Sequence, residues 1–244
     1  MIIVCAGDSF TAGAELWEEK NVPGYTLITD PYEAYKIIRS ISNDNDLERR
    51  DLTYSGHLKN ILCCEVLNLG ISGASQLEIL QNLCVALNKI RKNNPNESIL
   101  CIHQMTEKYR LWLYNNIYNK NFSIIIPSII ETHHGDKLEA YEIQNVCIDF
   151  IDERILEDNY YLQILAVKYV CNILNIDFLE FKLLQQEEIQ NDLSINWFYD
   201  KLGTTEVLLP SGHLNCEAHK HIAEWLIDKM KNGTLCPVFI TYET

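Results

Sequence analysis

A serine and a histidine at opposite ends of the chain carry the side chains best suited to chemistry. Ser9 follows the apolar run of residues 1–5, and Gly7 and Gly13 lie on either side of it. A serine hydroxyl presented where a buried strand ends can act as a nucleophile when a base takes its proton. His213 lies in a polar segment ahead of a predicted helix, and imidazole is the most frequent general base. These two residues predict a Ser-His dyad.

A second loop could supply the donors that such a reaction needs. Residues 68–75 follow a predicted strand, and their glycines, Gly70 and Gly73, leave backbone N–H groups able to point at a developing oxyanion. Both loops also have a plainer interpretation as helix starts. In that case Asp8 or Ser9 caps the first helix, and a serine of the second loop caps the next.

Apolar segments that alternate with helical ones must position these residues. Strands are predicted at residues 1–5, 64–68, 98–103 and 176–179, with 122–126 either a strand or buried coil. Helices are predicted at 32–41, 55–63, 77–91, 138–174 (either continuous or broken near Asn159) and 215–231. Strands that are apolar on both faces indicate an α/β protein with a parallel sheet covered on both sides. Ligands bind such sheets at the carboxyl ends of the strands.

Composition excludes several classes of partner. Thirty-four Asp and Glu against 20 Lys and Arg give a net charge of −14, which disfavours nucleic acid and anionic membrane surfaces. No apolar run is long enough to span a bilayer, and the start of the chain does not resemble a secretory signal. The nine scattered cysteines favour free thiols in a reducing compartment. We therefore expect a soluble, cytoplasmic protein.

The remaining histidines do not predict a metal site. His219 and His221 are two positions apart on a predicted helix and so cannot share a face. Both are interpreted as structural or surface residues. The pair His133 and His134 is more typical of a solvated loop than of a metal centre. No metal is predicted.

Three segments resemble the motif blocks of the SGNH (GDSL) hydrolase superfamily. Residues 7–13, Gly-Asp-Ser-Phe-Thr-Ala-Gly, are similar to its first block, and residues 68–75 to its glycine block. Gly212-His213 and the residues that follow resemble its histidine block. The resemblance covers residues 1–244 and implies one domain. It implies a three-layer α/β/α sandwich with a flavodoxin-like, mostly parallel five-stranded sheet. In place of the family's third block, the pattern of Gln104, Thr106 and Arg110 is similar to a variant block of phage-encoded members.

The resemblance also assigns roles to individual residues. Ser9 would be the nucleophile and His213 the base, and the family needs no cofactor. The backbone N–H groups of Ser9 and Gly70 would bind the oxyanion. Thr106 stands where the family has an asparagine that provides the third donor.

One member of the family's triad is missing from its usual place. The family carries an aspartate two or three residues before its histidine, where this chain has Ser211 and Pro210. Asp200 and Glu206, in the same loop, are candidate substitutes, and a backbone carbonyl could also fix the imidazole tautomer. Loss of the acid can reduce the rate by about 10⁴.

The resulting expectation is an esterase or deacetylase that acts on a small acyl ester, an acetyl ester on a carbohydrate above all. The excursion at residues 17–51 would shape substrate access. The alternative is a weakly active or inactive SGNH scaffold that serves as a binding or viral structural protein, in the host cytoplasm if the chain is viral. The oligomeric state is left open.

Overall fold

The computed structural model describes residues 1–27, 46–71, 75–106, 110–115, 120–125, 153–183, 192–193, 208–209 and 213–232. Several features named above lie outside these residues. They are the helix at 32–41, Gly73, His133, His134, Asp200, Glu206, and residues 210–212 with Ser211.

Among the described residues, helices separate the first three strands from one another and the fifth strand from the sixth. The strands are β1 (Ile2–Ala6), β2 (Glu65–Asn68), β3 (Ile99–Met105), β4 (Arg110–Asn115), β5 (Lys120–Ile125), β6 (Asp177–Leu183) and β7 (Asp192–Leu193). The helices are α1 (Ser9–Ala12), α2 (Leu16–Asn21), α3 (Asp46–Leu52), α4 (Tyr54–Leu62), α5 (Gln76–Asn93), α6 (Glu153–Ile173) and α7 (Cys216–Lys231). A short 3₁₀ turn covers Tyr25–Leu27.

The main sheet is parallel, with strand order β2-β1-β3-β6-β7. Its four full strands match the four strands predicted from the apolar runs, and β6 extends to Leu183. Within the described residues, the fifth member is the two-residue β7, which pairs with the end of β6. For the part of the chain that the structure describes, the expected five-stranded sheet is therefore corrected to four full strands and this short addition.

Two smaller predictions are refined by the structure. Residues 122–125 of the segment predicted as strand or buried coil belong to β5, and β5 pairs with β4 in a separate antiparallel pair of strands. The long predicted helix at 138–174 is described from Glu153 onward as the continuous α6, without a break at Asn159. No helix among the described residues is long and apolar enough to cross a membrane.

Strand β1 shows why the sheet is the middle of three layers. Its side chains alternate between two apolar cores, with Ile3 and Cys5 on one face and Ile2 and Val4 on the other. Helices α4 and α7 cover the first face, and α5 and α6 cover the second. All five residues of β1 are buried. The three-layer α/β/α sandwich is thus confirmed.

Candidate active site

The candidate site lies at the edge of the sheet where β1, β2 and β3 end. These strands are parallel neighbours, so the residues that follow them meet there. Ser9 follows β1 and is the first residue of α1. Asn68 ends β2, and Thr106 follows β3. Three loops that are far apart in sequence therefore come together as the pattern of strands predicted.

Helix α1 holds Ser9 in a defined, largely buried position. The Asp8 carboxylate accepts a hydrogen bond from the Phe10 N–H at 3.1 Å, so Asp8 is the N-cap of this helix. Ser9 is only 5% exposed. Gly13 ends the helix in the left-handed conformation, with φ of 80°, which glycine adopts without steric cost. The plainer interpretation of Asp8 as a cap is therefore correct, and it does not conflict with a chemical role for Ser9.

The second oxygen of Asp8 binds Thr106. The Thr106 hydroxyl donates to Asp8 Oδ2 at 2.8 Å, and both residues are at least 97% buried. A threonine hydroxyl has a single proton, and this bond uses it. In this arrangement Thr106 supports the loop that carries Ser9, whereas the resemblance made it the third oxyanion donor.

A buried glutamine of the third block joins the end of β3 to the first loop. Gln104 Oε1 accepts from the Asp8 N–H at 3.2 Å and from the Thr11 hydroxyl at 2.9 Å. The Thr11 hydroxyl also bonds the Tyr54 hydroxyl at 2.9 Å. A Cβ on Gly7 would lie 2.4 Å from Gln104 Oε1, so glycine is needed there for space.

Gly70 is also engaged within the protein. Its N–H donates to the Asn68 side chain at 2.9 Å, and a Cβ at this position would lie 2.3 Å from the backbone nitrogen of Ala12. The Asn68 amide in turn donates to the Thr11 carbonyl at 2.6 Å. Gly70 thus permits a close approach between two loops, and its predicted oxyanion N–H already has an acceptor.

The second loop begins α5 in the way the plainer interpretation required. The Ser75 hydroxyl accepts from the Glu78 N–H at 3.3 Å and is the N-cap of that helix. This loop therefore has a clear structural role whatever its chemistry.

His213 approaches the first loop from the other end of the chain. An isolated antiparallel bridge pairs Leu208 with Leu214, and the His213 carbonyl accepts from the Leu209 N–H at 2.6 Å. Its ring lies 5.3 Å from the ring of Phe10, centroid to centroid. Phe10 is the residue directly after Ser9, so the predicted base and the predicted nucleophile belong to one neighbourhood.

The structure supplies a carboxylate that sequence reasoning did not identify. Glu15 Oε2 lies 2.8 Å from His213 Nδ1, and the His213 backbone N–H is 3.4 Å from the same oxygen. The Glu15 side chain has no solvent exposure, and that of His213 is 21% exposed. The only sequence signal was an acidic residue shortly after the first motif, with nothing to connect it to a histidine 198 positions away.

Two other histidines are structural. His219 is buried and accepts the Tyr54 N–H at its Nδ1 at 3.2 Å, and its ring stacks on that tyrosine. Burial lowers the pKa of His219 to about 3, with a further contribution from nearby His57 and His213. Burial likewise lowers the pKa of His103 in β3 to about 3. Both are neutral at physiological pH.

The described part of the chain contains no group of three or more His, Cys, Asp or Glu residues that could hold a metal ion. The candidate partners Ser211 and Asp200 lie outside it, so their roles stay predictions.

Neither a protein-family model nor a curated protein sequence matches the chain. Several solved structures are similar to it, including the following two. One is a protein from Desulfitobacterium hafniense assigned to the lipolytic G-D-S-L family, at 12% identity and a TM-score of 0.42, covering 92% of this chain and 97% of its own. The other is a carbohydrate esterase, at 13% identity and a TM-score of 0.45, covering 95% of this chain and 64% of its own. Likeness at this level concerns the fold, so the chemistry must be argued from this chain's side chains.

Proposed function

We propose that the protein hydrolyses a small acyl ester through Ser9 and His213. The observation that carries the proposal is the contact between His213 and Phe10, 5.3 Å between ring centroids, directly beside Ser9. A serine nucleophile and a histidine base are the minimum set of side chains for acyl transfer. The resemblance of residues 7–13 and 68–75 to the SGNH blocks supports the same reaction.

The reaction would proceed in two steps. Ser9 Oγ attacks the ester carbonyl while His213 takes its proton, and the imidazolium then protonates the departing alcohol. Water next attacks the acyl-serine while His213 takes one of its protons, and the imidazolium then returns a proton to Ser9 Oγ as the carboxylic acid leaves. No cofactor is needed for either step.

The hydrogen-bond donors for the oxyanion are the least complete part of the proposed active site. The Ser9 N–H is the first candidate donor. Gly70 N–H and the Thr106 hydroxyl would have to exchange their present acceptors, Asn68 and Asp8, for the substrate. Because one such donor is worth about 10²–10³ in kcat, the expected rate is modest.

The substrate class is proposed from the resemblance alone. SGNH hydrolases with a small acyl pocket favour acetyl esters, and we propose an acetylated carbohydrate as the natural substrate. The net charge of −14 favours a neutral substrate over a polyanionic one.

The occupied donors also favour a second candidate, an inactive scaffold used for binding. In that case Thr106 and Gly70 only hold loops together, and Ser9 reacts with nothing. The second candidate would retain the fold and any carbohydrate binding but no hydrolysis.

Labelling with a fluorophosphonate probe separates the two candidates. We expect labelling of the wild-type protein that is abolished in Ser9→Ala and strongly reduced in His213→Gln. Hydrolysis of p-nitrophenyl acetate should exceed that of the octanoate. Folded protein, verified by circular dichroism, that neither reacts with the probe nor hydrolyses any short ester would exclude the enzyme and leave the scaffold.

A further inference from the structure

We propose that Glu15 is the positioning carboxylate of His213, so that the acid of the catalytic set comes from the start of α2 and not from the loop before the histidine. The inference rests on the proposed function, since it concerns the same base. It assigns a role that neither the motif blocks nor the spacing of residues around His213 indicates.

The hydrogen bond between these residues fixes which ring nitrogen carries the proton. Glu15 Oε2 is 2.8 Å from His213 Nδ1, and an ionised carboxylate can only accept. Nδ1 is therefore the protonated nitrogen of the neutral ring, and Nε2 is the one that can take a proton. A general base that activates a serine needs this tautomer.

The same carboxylate can stabilise the imidazolium that forms during attack. The Glu15 side chain is fully buried, so its charge acts on His213 through little water. It also lies 3.4 Å from the His213 backbone N–H, which ties the main chain of the loop to the same oxygen. One carboxylate thus restrains both the ring and the backbone of the base.

The backbone of Glu15 supports a functional reason for its position. Its φ is 68° and its ψ is −12°, in the left-handed region, where a residue with a Cβ is strained. Its side chain makes no capping hydrogen bond to α2, so helix capping does not account for the conformation. Strain of this kind concentrates where surrounding structure holds a residue for a task.

Helix α2 is anchored so that it can hold the loop in place. Glu19, one turn after Glu15, accepts the Cys216 N–H at 2.9 Å and so holds the start of α7. Between them, Glu18 forms a buried ion pair with Arg49 of α3. Glu15 therefore contacts the imidazole that takes part in the reaction, whereas Glu19 contacts only the backbone N–H of Cys216, three residues further on.

Glu15→Gln tests the proposal, with Glu19→Gln as the matched control. Both variants remove one negative charge from α2, but only the first touches the imidazole. We expect Glu15→Gln to lower kcat on p-nitrophenyl acetate by about 10²–10⁴, with KM changed less than about threefold. Glu19→Gln, whose amide oxygen still accepts the Cys216 N–H, should stay within about twofold of wild type.

Glu15→Asp distinguishes loss of the carboxylate from a folding defect. It keeps the charge, and we expect it to recover part of the rate that Glu15→Gln loses. The proposal is overturned if folded Glu15→Gln retains wild-type kcat, or if Glu15→Asp and Glu15→Gln are equally impaired.

A measurement without turnover separates this inference from the proposed function. Protein labelled with ¹⁵N-histidine reports the tautomer of each ring by NMR, and His213→Gln identifies the relevant signals. We expect the Nδ1–H tautomer for His213 at pH 8, with that preference lost or weakened in Glu15→Gln. An active wild-type enzyme with the Nε2–H tautomer overturns this inference alone. A wild-type protein without hydrolysis overturns both proposals.

Discussion

Thr106→Val tests whether the Thr106 hydroxyl donates to the substrate oxyanion or only stabilises the folded protein. Valine has nearly the same shape and lacks only the hydroxyl. That hydroxyl now donates to Asp8 Oδ2 at 2.8 Å. The Thr106 carbonyl, which accepts from the Tyr160 hydroxyl at 2.9 Å, is unaffected by the change.

The magnitude follows from the burial of the pair. Asp8 is 2% exposed and Thr106 is 3% exposed, so the carboxylate oxygen would lose a donor that water does not readily replace. A hydrogen bond to a charged group contributes about 1.5–3 kcal/mol. In a domain of this size, 2 kcal/mol corresponds to a fall in Tm of about 4–8 °C. The effect on kcat should stay below about tenfold, because an occupied hydroxyl contributes little to the oxyanion.

The assay compares thermal unfolding with ester hydrolysis for wild type, Thr106→Val and Thr106→Ser. Serine keeps the hydroxyl and should retain both stability and rate more closely than valine. If valine instead lowers kcat by about 10²–10³ while Tm stays unchanged, the hydroxyl is an oxyanion donor during the reaction. The argument from its bond to Asp8 would then be wrong.

Three further predictions test the support of the site. Gly70→Ala should lower the free energy of unfolding in urea by about 1–3 kcal/mol or more, because the added Cβ would lie 2.3 Å from the Ala12 backbone nitrogen. A variant as stable as wild type would contradict that contact. Arg49→Met leaves buried Glu18 without its cation and should cost about 3–5 kcal/mol in the same assay, whereas a cost under 1 kcal/mol would show that the pair is dispensable. The pKa of His219 is about 3 when folded and 6.5 when unfolded, so the unfolded state gains the proton first and stability falls as pH drops from 6.5 toward 3. His219→Gln should lessen this fall by up to about 1.4 kcal/mol per pH unit, and an unchanged pH dependence would contradict the argument.

The sheet could be predicted from sequence because its signal is local. Buried parallel strands have apolar residues on both faces, and β1 and β3 show this pattern most clearly, whereas β2 and β6 also carry charged or polar residues. Because parallel strands end at the same edge of a sheet, the positions of Ser9 and Thr106 at that edge could be predicted without knowing any side-chain contact. The antiparallel pair β4–β5 was harder to predict, since a pair of strands outside the main sheet lacks that doubly apolar signature.

The bonding of the site could not be predicted because it depends on distances across the fold. Sequence suggested that the Gly70 N–H and the Thr106 hydroxyl face a substrate. The structure gives both groups acceptors within the protein, Asn68 and Asp8. Motif spacing identifies which residues lie near the site, but the partner of each polar group is decided by packing.

The carboxylate beside His213 illustrates why a missing motif residue need not be a missing interaction. At the carboxyl edge of a parallel sheet, loops from across the chain lie within side-chain reach of each other. A carboxylate can therefore come from any of these loops, provided that the backbone directs it inward and the oxygen reaches Nδ1. Glu15 meets both conditions although it is 198 positions from His213, at the expense of a left-handed φ of 68°. Selection on such a site acts on the distance between two atoms, and sequence separation constrains it only through the loops that the fold brings together.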